Sequence, residues 1–79
     1  MREATRQEYY AIRNYPHVDI RRMHSRSFTD IILSYMGQQV GHCREHYTRR
    51  GNLKTTGSEY WVSEDFLDKI QSRRKVLTT

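Results

Sequence analysis

The sequence predicts a single small domain that is mainly α-helical, with about four helices and one β-hairpin. Three observations predict it. Ser27-Phe28-Thr29-Asp30 has the Ser-x-x-acid form of a capping box, and Phe28, Ile31, Ile32 and Tyr35 follow at i, i+3, i+4 and i+7. Gly37 and Gly51 then bracket a segment of helical period. After Gly51 the residues change to strand formers, Leu53-Lys54-Thr55 and Glu59-Tyr60-Trp61-Val62, on either side of Thr56-Gly57-Ser58.

The 79 residues fit one domain, 1–79, at about 100–200 residues per domain. Residues 1–27 form an amino-terminal helix and a basic segment. In that helix, read over residues 2–14, Ala4, Glu8, Ala11 and Tyr15 share a side, with Tyr9 and Ile12 beside it. Pro16, the only proline, disfavours helical geometry at Tyr15 and stops it. His17–Arg22 reads equally as a short extended piece or a helical turn. The second helix starts at Ser27 and ends before Gly37. The third runs from about Gln38 to Arg50, with Gly51 as its terminator. Gly57 supplies the positive φ that a hairpin loop needs. Ser63 caps the last helix, 64–75: Glu64 and Asp65 favour its start, Arg73, Arg74 and Lys75 its end, and Phe66, Leu67 and Ile70 its apolar face.

Composition bounds the function. Ile, Leu, Val and Phe number only 15 of 79, so the core is thin. Ten of the fifteen fall within residues 28–70. A two-domain enzyme with a deep cleft does not fit this length, no apolar run reaches the roughly 18 residues of a membrane span, and no apolar signal segment opens the chain. A single cysteine, Cys43, makes no internal disulfide and fits a reducing cytoplasm. Eleven arginines against three lysines carry the net charge of +5. Arginine is the better fork for phosphate oxygens and guanine edges, so nucleic acid is the indicated partner.

Residues 28–63, two helices joined through a glycine turn and followed by a hairpin, resemble a winged helix-turn-helix DNA-binding domain. The likeness rests on Ile31-Ile32-Leu33, Tyr35-Met36-Gly37, Val40 and Tyr47, Arg49-Arg50-Gly51-Asn52-Leu53-Lys54 and the hairpin 56–62. It implies that the third helix enters the major groove and the hairpin holds backbone. At about 100° per residue, Val40, Cys43 and Tyr47 would face the core. Gln38, Gln39, His42, Glu45, His46 and Arg49 would then face the bases, the residue types that read base edges. Arg50, Lys54, Thr55, Thr56 and Ser58 around the wing, and Arg21, Arg22 and Arg26 before the second helix, are the candidate phosphate contacts.

His42-Cys43-Arg44-Glu45-His46 has the i, i+4 histidine spacing of a zinc helix, but Cys43 stands where a metalloprotease carries its general-base glutamate. No metal, cofactor or enzymatic role is therefore assigned. The function expected is sequence-specific binding of double-stranded DNA by a small transcriptional or replication regulator, of the kind found in phages and plasmids. Such a protein works as a homodimer, cytoplasmic and nucleoid-associated when bound, with Tyr9, Tyr10, Phe66, Leu67 and Ile70 as candidate dimer surfaces. The alternative is a protein-interaction module that modulates a polymerase, repressor or nuclease without touching DNA.

Overall fold

Among the described residues seven elements follow one another: β1 (Arg2–Glu3), α1 (Arg6–Arg13), β2 (Asp19–His24), β3 (Phe28–Tyr35), β4 (Gln38–His46), β5 (Glu59–Val62) and α2 (Glu64–Thr78). They are taken from a computed structural model that describes residues 1–46 and 57–78, with side chains described as far as Ser72. The strands form one antiparallel sheet in the order β1-β5-β4-β3-β2. The fold is thus a five-stranded sheet with two helices, and not a mainly helical winged helix-turn-helix. The segment expected as the second helix is a strand, and so is the expected third helix over Gln38–His46; residues 47–50 lie outside the described residues.

The reason lies in β3. Thr29, Ile31 and Leu33 are buried and alternate with half-exposed Phe28, Asp30, Ile32 and Ser34, a period of two. Because apolar residues occupy both faces, Phe28, Ile31, Ile32 and Tyr35 also satisfy a helical spacing. The β-branched Thr29, Ile31 and Ile32 are stiff at χ1 and favour the strand. Asp30 caps no helix; it reaches across to β4 and accepts from Arg44 Nε at 2.9 Å.

Gly37 does make a turn, but of a hairpin. Met36 (φ +50°) and Gly37 (φ +82°) both have positive φ, and Tyr35 pairs with Gln38, the signature of a two-residue type I′ connection. In β4 the register shifts opposite Leu33/Ser34, so that Val40 and Gly41 are both buried. A Cβ on Gly41 would sit 2.9 Å from Leu33 Cδ1, so glycine leaves the space that the buried Leu33 side chain fills. The expected wing is also corrected. Residues 59–62 pair with β4 on one side and β1 on the other, while Leu53, Lys54 and Thr55 lie outside the described residues.

The two remaining helices cover one face of the sheet. Thr5 caps α1 with a full capping box: Glu8 N–H donates to Thr5 Oγ1 at 3.2 Å, and Thr5 N–H donates to the Glu8 carboxylate at 3.0 Å. Ser63 opens α2, its Oγ accepting from Phe66 N–H at 3.4 Å. Tyr9 and Ile12 from α1 and Leu67 and Ile70 from α2 pack with Ile31, Leu33, Val40, Cys43 and Val62. This corrects the expected dimer surface: Tyr9, Leu67 and Ile70 are core, and Tyr10 and Phe66 are partly buried against it. Tyr60 turns inward to Tyr9, with ring centroids 5.2 Å apart, and its neighbour Trp61 turns to the other face, as adjacency on a strand requires.

Candidate nucleic-acid interface

β2 ends the sheet, and every one of its residues is exposed. Neither helix contributes a core contact over it, so it projects beyond the covered part of the sheet with side chains open on both faces. Arg21 lies opposite Ile32 and Arg22 opposite Ile31, which sends the two guanidinium groups to opposite faces. The chain then turns back through Ser25–Ser27, where Ser25 N–H donates to the Phe28 carbonyl at 2.8 Å and Arg26 is exposed at the tip. Beside the turn, His24 Nδ1 and Thr29 Oγ1 are 2.9 Å apart. Strand β2 and its turn into β3 therefore make the edge ribbon of the five-stranded sheet, with β3 paired to β4 behind it, and this edge carries Arg21, Arg22 and Arg26.

Among the described residues, no carboxylate pairs with any of these three arginines. Other arginines are engaged. Arg2 pairs with Glu8 at 2.8 Å, Arg44 with Asp30 at 2.9 Å, and Arg6 and Arg13 lie over the Tyr10 ring at 5.5 and 5.4 Å from its centroid. The ribbon arginines are thus exposed cations without a carboxylate partner among the described residues.

The face of the sheet opposite the helices is organised differently. Asp30 is its hub, within 2.9 Å of both His42 Nε2 and Arg44 Nε. An ionised carboxylate only accepts, so His42 carries a proton on Nε2. The Arg44 guanidinium, and after it His42, hold the Asp30 carboxyl below its usual range. Arg44 also lies 4.1 Å above the Phe28 ring, and His42 stacks on Trp61 with centroids 5.0 Å apart. Further along, His46 and Glu59 meet at 2.9 Å. The groups of β3, β4 and β5 named here satisfy one another, and the Phe28 and Trp61 rings are half-buried by their neighbours.

The sequence-predicted contacts separate on this scaffold. Arg21, Arg22 and Arg26 come together on the ribbon, as their closeness in sequence implies. Gln38, Gln39, His42, Glu45 and His46 do not form one reading face, because they lie on a strand: His42 and His46 point to the open face, while Glu45, opposite Thr29, points to the other. Gln38 and Gln39 are exposed beside the β3–β4 turn, at the far end of the sheet from Arg26. Ser58 is half-buried just ahead of β5. Arg49, Arg50, Lys54, Thr55 and Thr56 lie outside the described residues. Sequence reasoning missed the Asp30–Arg44–His42 cluster, since no local motif links residues that meet only through strand pairing. A groove of about 940 Å³ beside Tyr15, Tyr35 and Phe66 carries Asp65 and Asp68 along with Lys69, a charge balance unsuited to phosphate.

Comparison with protein families, with characterised proteins and with solved structures finds no match to this chain.

Proposed function

We propose that this protein binds double-stranded DNA with the β2 edge of its sheet, taking the regulatory role in transcription or replication that a small binding module can fill. The observation that carries the reading is the set Arg21, Arg22 and Arg26. Three arginines lie within six residues, exposed and unpaired by carboxylates among the described residues, while the ribbon's inner acid, Asp30, is already held by Arg44. Because β3 is paired with β4 along its length, β2 and its turn meet a duplex as the edge of the sheet, so loss of the expected recognition helix changes the docking element to a sheet edge whose arginines face the phosphate backbone. Arginine forks would grip phosphates along this edge and its turn Ser25–Ser27. No helix among the described residues is long and apolar enough to cross a membrane, and a cytoplasmic site of action accords with the free thiol of Cys43.

The test is fluorescence anisotropy with duplex and single-stranded oligonucleotides at two salt concentrations. Duplex binding should weaken with salt by about 0.9 logarithmic units per phosphate neutralised. Arg22→Ala and Arg26→Ala should each lower that slope by about 1. No duplex binding at low salt, or slopes unchanged by both substitutions, would refute the reading. Preference for single strands would move it to a different ligand.

A further inference from the structure

We infer that two copies of the chain join edge to edge through β2, antiparallel, with Ile20 of one copy opposite Ile20 of the other. β2 is a six-residue edge strand without proline or bulge, the form that pairs with another chain unless it is guarded. Its backbone pattern says which residues offer hydrogen bonds outward. Ser25 and Phe28 form the bonded pair that closes the turn. Alternation from there makes Met23, Arg21 and Asp19 the residues bonded to β3, and turns the N–H and C=O of His24, Arg22 and Ile20 outward. The His24–Thr29 side-chain contact at 2.9 Å fits this assignment, since side chains are closest in non-bonded pairs.

Only registers centred on the two-fold that bring outward residues into bonded pairs are open. Centring on Asp19 sets acid against acid, and centring on Arg21, Arg22 or His24 sets arginine against arginine, which like charge opposes; centring on Met23 brings no acid opposite any arginine. Centring on Ile20 sets Asp19 against Arg21 of the second copy, twice by symmetry, with Ile20 facing Ile20 between them; Val18, which follows opposite Arg22, gives its N–H to the Tyr15 carbonyl, so the pairing is the short segment Asp19–Arg21. Asp19-Ile20-Arg21 is thus complementary to itself when reversed. The same register buries Ile20, whose 41% exposure is high for an isoleucine on the helix side of the sheet. The arginines would guard this edge against any partner lacking a matching acid, and a second copy supplies one.

The pairing goes beyond the DNA reading and does not depend on it. In the joined sheet Arg21 is occupied by Asp19, and Arg22 and Arg26 of both copies stay open on a two-fold.

The experiment is light scattering on the full chain without DNA, with two charge variants, and cross-linking of three cysteine variants. The wild type should show twice the 9.6 kDa chain mass. Asp19→Arg, which places Arg against Arg21, should weaken association by about tenfold or more. The charge swap D19R/R21D restores opposite charges and should recover the wild-type mass. Under mild oxidation I20C should cross-link to a covalent dimer faster than R21C or R22C, because only residue 20 lies on the axis; Cys43 is buried and does not compete. A monomeric wild type at high concentration overturns the inference, as does association that survives D19R unchanged, failure of the swap to restore it, or faster cross-linking at residue 21 or 22. Failure of DNA binding with the mass doubling intact would remove the function reading alone.

Discussion

The Asp30 carboxylate accepts from Arg44 at Nε, 2.9 Å away, and at Nη2, 3.4 Å away, tying β3 to β4 across 14 residues of sequence. The pair faces the side of the sheet that neither helix covers, and His42 shares the same carboxylate oxygen.

Asp30→Asn should therefore lower the unfolding midpoint at neutral pH. The half-exposed setting keeps the cost to about 1 kcal/mol or less. Because the folded chain holds this carboxyl below its ordinary 3.8, the stabilisation is full above that value and is lost as pH falls through the lowered one. Thermal unfolding of wild type and D30N as a function of pH should show the gap closing at the acid end.

Thr5→Ala removes the hydroxyl that accepts from Glu8 N–H and should destabilise the protein by about 1 kcal/mol. Glu8 is a second acid probe. Arg2, and then the Thr5 amide, lower its carboxyl from 4.5 to about 2. Glu8→Gln keeps an amide able to accept from Thr5 N–H but loses the charge. The stability difference between wild type and E8Q should be present above pH 4.5 and disappear as pH approaches 2. Denaturant titrations across that range measure it.

Met36→Asn should stabilise. Met36 is 86% exposed and held at φ +50° in the type I′ turn, where asparagine is favoured and methionine is strained. A gain of about 0.5–1 kcal/mol in chemical denaturation is expected.

Gly41→Ala should do the opposite. The new methyl would meet Leu33 Cδ1 at 2.9 Å, an overpacking that costs about 1–3 kcal/mol. Adding Leu33→Val, which shortens the obstructing side chain, should recover part of the loss relative to L33V alone. A double-mutant cycle from denaturant melts reads this coupling directly.

Two capping-box patterns stand in this sequence, and they show where local reading succeeds. Thr5-x-x-Glu8 precedes Tyr9 and Ile12, three apart, and a real helix follows. Ser27-x-x-Asp30 precedes a run with β-branched residues and apolar side chains on both faces, and a strand follows. The motif is the same; what differs is whether the apolar residues behind it fall on one side only. The last helix was legible for the same reason, with Ser63 ahead of Phe66, Leu67 and Ile70. Two signals against a helix over Gln38–His46 were present: Gly41 in its middle, and Met36-Gly37 as a two-residue link between segments of strand length. Tertiary pairing decided the rest. Of the candidate site, the cluster Arg21, Arg22 and Arg26 was visible because it is contiguous in sequence. The Asp30 hub was not, because its members meet only when β3 and β4 are in register.

Cys43 lies in the core between the strands and α1, and burial, together with Glu45, pushes its thiol up to about 11. Near neutral pH almost none of it is thiolate, and at 2% exposure the residue offers a reagent little surface while the sheet and helices stay packed. Alkylation of this one sulfur is thus a clock on the interior. Its rate at fixed reagent concentration counts how often β4 and α1 part, so the native chain carries its own gauge of opening without any added label.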